Sequence, residues 1–420
     1  MARLSYINYQ EFDAVLTPEN RLGWAPTSKI TNHKLPQIFW ADGSSWAEVN
    51  LWALTRALDQ RIKPDTVQRT MKHLRHYAAY LEEKKLDWRH FPIKKEEGAL
   101  RTFRKRLVDA VDDGNLGNST ASNCMAAVIQ FYRFAEIYDL VGAAAPMWVD
   151  KSVVIPFHDS KGFKRTMTRQ VSELAISNRR RAGQLLEDGL LPLRSEHMSQ
   201  CLRYTAEHET EELHTMLATG FFTGARIGTI TTLTVTSLDT AREDPMTPGV
   251  FLLPVGPGTG VATKFSVSGN IMVPEAVLAE LRRFATSTTR LLRERKAKGG
   301  DKNRLFLTRS GEPYSVAVVN RLVHGMRKRA VAAGMTFMEN FTFHLSRATF
   351  GTWLVQLLLE VTSKTEALRI VRDAMLHKHE STTLGYIKFI ENTKAKANFA
   401  AQFNSAFTGL RERDWSNLNA

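Results

Sequence analysis

The chain has 420 residues, 43% apolar and 24% charged, a globular mix that excludes a disordered polymer. Length predicts two or three domains. Lys plus Arg number 57 against 43 Asp plus Glu, a net charge of +14, which favours a polyanionic partner, nucleic acid or an acidic membrane face. The start, MARLSYINYQ, lacks the apolar core of a secretory signal, and no apolar run approaches the ~18 residues of a membrane span. Cys124 and Cys201 form no CxxC and join no Cys/His cluster, which fits a reducing compartment and argues against a thiolate zinc site.

Residues 1–44, with Pro26, Pro36 and scattered glycines, read as an irregular extension. Residues 45–145 read as a helical domain. Val67, Met71, Leu74, Ala78 and Leu81 recur at steps of three and four, behind Pro64 and Asp65 where a helix begins. That helix carries Lys72 and Arg75. A second, Leu100 to Val111, carries Arg104 and Lys105, and a third starts near Thr120. Residues 146–192 read as a basic linker, extended or partly helical. Lys161 to Arg181 holds seven basic residues, Lys164 and Arg165 among them, against Glu173 alone. Such a run is either a solvated strap or a surface that meets a polyanion.

Residues 193–390 mix helices and strands. Phe251–Pro254 and Ile271–Pro274 predict two strands of a hairpin, with Gly256, Gly258, Gly260 and Lys264 in its flexible tip. Arg304–Thr308 predicts another strand, and Ser315 caps a helix carrying Arg321. In the tail, 391–420, Phe399, Phe403 and Phe407 fall on one helical stripe, which packs either onto the chain's own core or onto a neighbouring protomer.

Four segments carry candidate chemistry: Thr223-Gly224-Ala225-Arg226; Ala262-Thr263-Lys264; His344-Leu345-Ser346-Arg347; and His377 nine residues before Tyr386. Each alone is a weak signal, since an Arg after Gly or an HxxR pair is common on helix surfaces. Their joint order and spacing resemble the tyrosine recombinase (phage integrase) family. The resemblance runs from about Ser45 to Phe407 and extends to the flanks RATFGTWL and STT. Thr229, Leu376 and Gly385 depart from the family's usual residues at three flanking positions.

The resemblance implies a multidomain fold. An all-α core-binding (SAM-like) domain would join a helix-rich α+β catalytic domain of the DNA breaking-rejoining type, and the two would form a C-shaped clamp. It implies cleavage and rejoining of DNA through a 3′-phosphotyrosyl link. Arg226 and Arg347 would clamp the phosphate, because two guanidinium forks match its non-bridging oxygens. Tyr386 would be the nucleophile, His344 would accept its proton, Lys264 would protonate the leaving 5′-oxygen, and His377 would hydrogen-bond the phosphate. No cofactor or metal is implied. The implied partner is double-stranded DNA, bound by a dimer on one site and a homotetramer on two duplexes, with accessory DNA-bending proteins as a further class. The implied place is the bacterial cytoplasm, at the nucleoid, with no membrane. The rival readings are a type IB topoisomerase-like relaxing enzyme and a non-catalytic DNA-binding relative.

Overall fold

The computed structural model describes residues 1–16, 18, 21–92, 94–142, 147–158, 164–177, 186, 190–378 and 380–393, without the side chains of 28–33, 155–158 and 164. The chain divides into two units, Met1–Arg180 and Arg181–Ala420.

Four helices form the body of the first unit: α1 (Ala47–Leu58), α2 (Pro64–Lys84), α3 (Ala99–Asp112) and α4 (Asn118–Ile137). The α2 stripe read from sequence is buried, with Met71, Leu74 and Leu81 closed to solvent. The core is aromatic. Trp46 packs its ring 4.7 Å from Trp40, 5.4 Å from Phe131 and 6.0 Å from Trp88. The Tyr77 and Tyr132 hydroxyls bond each other at 2.7 Å, and Tyr132 also donates to the Trp88 carbonyl.

The two segments flanking these helices form β-ribbons, which corrects the irregular extension and, of the two readings of the linker, takes the extended one over the partly helical one. β1 (Arg3–Leu16) pairs antiparallel with β2 (Leu22–Phe39), and β3 (Asp150–His158) with β4 (Lys164–Ser172). Pro36 lies opposite Tyr6 and Pro26 opposite Phe12. A two-stranded ribbon has two open edges, so a proline can turn its missing N–H outward without breaking the ladder. The root of β1–β2 is fastened by Asn50, whose side chain accepts from the Ile38 N–H (2.7 Å) and donates to the Ile38 carbonyl (3.0 Å).

The second unit comprises α5 (Ser195–His208), α6 (Glu211–Thr223), α7 (Ile227–Ile230), α8 (Val235–Asp239), β5 (Arg242–Glu243), β6 (Val250–Val255), β7 (Gly269–Pro274), α9 (Glu275–Ala285), α10 (Thr288–Glu294), α11 (Val316–Ala332), α12 (Phe343–Val361), α13 (Lys364–Ala374) and α14 (380–393). The sheet order is β5-β6-β7, antiparallel, so the predicted hairpin is present and gains a short third strand. The predicted strand over Arg304–Thr308 is absent. Only single bridges form, Thr234 with Arg304 and Leu307 with Pro313, while Leu305, Phe306 and Leu307 are buried core residues. α6 and α12 cross closely at Gly220, where an added Cβ would lie 2.5 Å from the Ser346 hydroxyl. Among the described residues no helix is long and apolar enough to cross a membrane.

Candidate active site

The site is built on the ends of α6, α12 and α13. α6 terminates at Gly224, whose φ of +63° is a left-handed cap. An added Cβ there would also lie 2.3 Å from the Phe350 ring, so both conformation and space require glycine. The preceding Thr223 is fully buried, donates to the Thr219 carbonyl (2.6 Å) and accepts from the Ala225 N–H (3.2 Å). This turn delivers Arg226, half-buried, to the N-cap position of α7.

His344 lies half-buried in the first turn of α12, and Arg347 follows one turn later, buried to 2% exposure. The Arg347 guanidinium donates from Nη1 to the Gly224 carbonyl (2.5 Å) and from Nη2 to the Met375 carbonyl (2.6 Å). One side chain therefore joins the turn before Arg226, 123 residues back in the chain, to the turn before His377, 28 residues ahead.

α13 ends in a tight turn with Leu376 at φ +50° and the His377 N–H on the Arg372 carbonyl. The Leu376 side chain covers Gly269 at the foot of β7, where a Cβ would meet it at 2.5 Å. His377 is 6% exposed and its Nδ1 bonds the fully buried Thr383 hydroxyl at 2.9 Å, which fixes the ring and turns Nε2 to the opposite side. The Tyr386 ring stacks at 5.8 Å and 29° on the His377 ring. Tyr386 is 1% exposed and packs on Gly351 of α12, where a Cβ would come within 2.6 Å of both the Tyr386 ring and the Met375 sulfur.

Lys264 lies in the β6–β7 connection, exposed, in a 3-10 turn over Lys264–Ser266. Phe265 in that turn has φ +64°, strained for an aromatic residue, and its exposed ring meets the Lys264 ammonium at 5.2 Å and the Lys378 ammonium at 5.3 Å. Because Lys378 follows His377, the shared ring places Lys264 beside the fourth segment. The loop is tied down, which differs from a flexible tip. The Ala262 N–H donates to the Thr232 hydroxyl (2.9 Å) and Arg304 donates to the Gly260 carbonyl (3.2 Å).

Phe265 and Lys378 carried no signal in the sequence, and Thr383 was visible only as the end of the STT flank, without a role. Their neighbours in the motifs were visible, but the turns that bring them together were not.

The residues proposed to contact DNA scatter over both units. Lys72 and Lys105 are exposed on α2 and α3, Arg165 on β4 and Arg321 on α11. Arg75 is half-buried, with a guanidinium nitrogen 3.3 Å from the His76 ring. Arg104 is drawn inward, donating to the Leu174 carbonyl at 3.1 Å. The side chain of Lys164, and Phe399, Phe403 and Phe407, lie outside the described residues. Among the described residues no group of three or more His, Cys, Asp or Glu side chains is placed to hold a metal ion.

No family model and no curated protein matches the chain. Solved structures do. The chain is similar in fold to a transposon integrase. The structure of the Tn1549 transposon integrase in complex with transposon right end DNA aligns with a TM-score of 0.50 at 16% identity, covering 84% of this chain and 99% of that one. A lambda integrase dimer bound to a COC′ core site gives a TM-score of 0.48 at 14% identity, covering 82% and 95%. A lambda integrase tetramer bound to a Holliday junction gives 0.46 at 12%, covering 81% and 76%.

Proposed function

We propose that this protein is a site-specific DNA recombinase of the tyrosine recombinase type, integrating or excising a mobile element. The observation that carries the reading is the bridge made by Arg347. It ties together three sequence-distant segments, those of Arg226, of His344 with Arg347, and of His377, on whose ring Tyr386 stacks. The transposon integrase fold is consistent with it, although a fold alone hosts many functions.

The chemistry follows from the groups. Arg226 and Arg347 hold the non-bridging oxygens of the scissile phosphate and offset the charge that grows in the transition state. The Tyr386 Oη attacks phosphorus, His344 takes the phenolic proton, the P–O5′ bond breaks, and Lys264 gives its proton to the departing 5′-oxygen. His377, oriented by Thr383, donates to the phosphate. A 3′-phosphotyrosyl ester and a free 5′-hydroxyl result, and attack by a 5′-hydroxyl from a partner strand reverses the step. The bond energy is kept in the ester, so strand exchange runs without a nucleotide cofactor. Two duplexes and four such sites make the working assembly a tetramer on DNA, in the cytoplasm at the nucleoid. Tyr386 is nearly closed to solvent, so α14 has to move for its hydroxyl to meet a phosphate.

The test is a suicide duplex bearing an end of the encoding element, nicked beside the cleavage position. The wild-type chain traps an SDS-resistant adduct and Tyr386→Phe traps none. An adduct of undiminished yield in Tyr386→Phe refutes the assignment. Joined products from two duplexes separate recombination from relaxation.

A further inference from the structure

The segment that sequence reads as a basic linker is a ribbon with a fixed root and a bare shaft. At the root, Arg133 binds both Asp150 oxygens (2.8 and 3.0 Å), and the Trp148 indole donates to the same carboxylate (3.1 Å). Arg101 pairs with Glu173, and Arg104 holds the Leu174 carbonyl. Trp148 and Leu174 are buried in the first unit's core. Above that root, residues 151–154 and 165–170 are exposed on both faces of the ribbon. A two-stranded ribbon with neither face packed gains little from its own contacts, and both faces of this shaft are open to a partner.

The register sorts the shaft by chemistry. Val153 faces Arg169, and Lys151, Arg165, Met167 and Val171 share that side, so one face carries three cations among apolar side chains. Ser152 faces Gln170 and bonds it at 2.8 Å, and Val154 faces Thr168, so the other face carries hydroxyls and an amide. Asp150, the ribbon's carboxylate among the described residues, is neutralised at the root by Arg133.

We propose that β3–β4 is an arm that enters the major groove of duplex DNA, an inference resting on the recombinase reading above. The major groove, about 12 Å wide, admits a two-stranded β-ribbon, whereas the minor groove at about 6 Å does not. The hydroxyl-amide face meets base edges, where Gln pairs with adenine and Ser or Thr with several bases, and Val154 suits a thymine methyl group. Lys151, Arg165 and Arg169 reach round the ribbon edges to the flanking phosphates. The root, anchored to α3 and α4, holds the arm at a fixed angle to the helical body.

Two variants of the full-length chain test this. In Lys151→Ala/Arg165→Ala/Arg169→Ala, the slope of log affinity against log salt for a mixed-sequence duplex falls by about 3, from roughly 0.9 per lost phosphate contact. In Ser152→Ala/Thr168→Ala/Gln170→Ala, that slope stays. Selection from a library of randomised duplexes then shows about tenfold weaker preference at a contiguous set of positions, the loss of one to two base contacts. Both variants change exposed side chains, and adduct formation by the wild-type chain on a nicked duplex reports the recombinase reading separately. Unchanged slope and unchanged preference, with wild-type adduct formation intact, overturn the arm and leave the recombinase reading standing. A wild-type chain that neither binds duplex nor forms the adduct overturns both.

Discussion

The two units differ in what holds them and in what they leave exposed. The first is centred on Trp46, Trp88, Phe131 and the Tyr77–Tyr132 pair, large rings that fill space between α1, α2 and α4. Its outward features are two ribbons of unlike chemistry: β1–β2 shows Phe12, Leu16, Leu22 and Trp24 to solvent, whereas β3–β4 shows cations and hydroxyls interspersed with Val153, Val154 and Met167. The second unit has a mainly aliphatic core, and its polar groups converge inward, with Arg347, His377 and Thr383 all buried. Polar groups buried in fixed hydrogen-bond positions are preorganised for chemistry, whereas exposed polar faces on a rooted arm suit recognition. On the proposed function, the first unit reads DNA and the second cuts it.

The largest expected effect sharpens that division. Lys264→Ala should slow cleavage about 10²–10⁴-fold, the usual worth of a positioned general acid. A duplex with sulfur in place of the leaving 5′-oxygen should restore the rate, because a thiolate departs without a proton. Phe265→Leu removes the ring between the two ammonium groups. It should slow the oxygen substrate about threefold, in line with ~0.5–1 kcal/mol for an exposed cation–π contact, and leave the sulfur substrate unaffected. If sulfur fails to rescue Lys264→Ala, the proton comes from another group.

The next effect asks whether the two cores are independent. Burial pushes the Cys124 and Cys201 thiols up to about 12, and each unit holds one of them. At pH 8 each thiol reacts only when its own unit opens, so thiol-labelling rates report each core separately. Gly224→Ala forces a side chain into a left-handed position and onto Phe350, a cost of about 2–4 kcal/mol from overpacking and backbone strain. Cys201 should label much faster and Cys124 at its old rate. Equal acceleration of both would show that the units unfold together. Tyr77→Phe does the converse. It removes one buried hydroxyl pair while Tyr132 keeps the Trp88 carbonyl, so Cys124 should speed up by the equivalent of about 1 kcal/mol and Cys201 not at all.

The second unit was the more legible in sequence, and the reason is local stereochemistry. Thr-Gly-Ala-Arg encodes a helix stop, a left-handed residue and a cap within four positions, and HxxR places two side chains on one helical face. The α2 stripe was legible for the same reason of periodicity. What escaped depends on contacts distant in sequence. RLFLT is a buried apolar run, and burial alone does not separate a strand from a loop segment that crosses the core. The prolines at 26 and 36 looked like breakers because nothing local announces that a strand has only one neighbour. Arg104 looked like part of a basic face until its guanidinium met the Leu174 carbonyl, 70 residues away.

The smallest expected effect concerns acid. In the first unit, burial pushes His73 and His76 below the ordinary histidine value, helped at His73 by His76 and then Arg69, and at His76 by Arg75. In the second, burial pushes His214 down while Glu280 pulls it back, and its ring accepts from or donates to the Thr205 hydroxyl at 2.9 Å. A histidine whose folded value is lowered resists protonation in the folded chain and accepts it in the unfolded one. Stability is therefore full above the unfolded value of about 6.5 and is lost as pH falls through it. The first unit has two such histidines facing cations, and the second has one facing a carboxylate. Measured against a free thiol at the same pH, labelling of Cys124 should accordingly accelerate more between pH 7 and 5 than labelling of Cys201, and His73→Gln/His76→Gln should flatten the Cys124 profile alone. A Cys124 profile that keeps its full acid limb in that variant would place the sensitivity elsewhere in the first unit. On the proposed function, a duplex phosphate laid along α2 should reverse the sign by favouring the protonated rings, so that DNA binding tightens as pH falls over the same window.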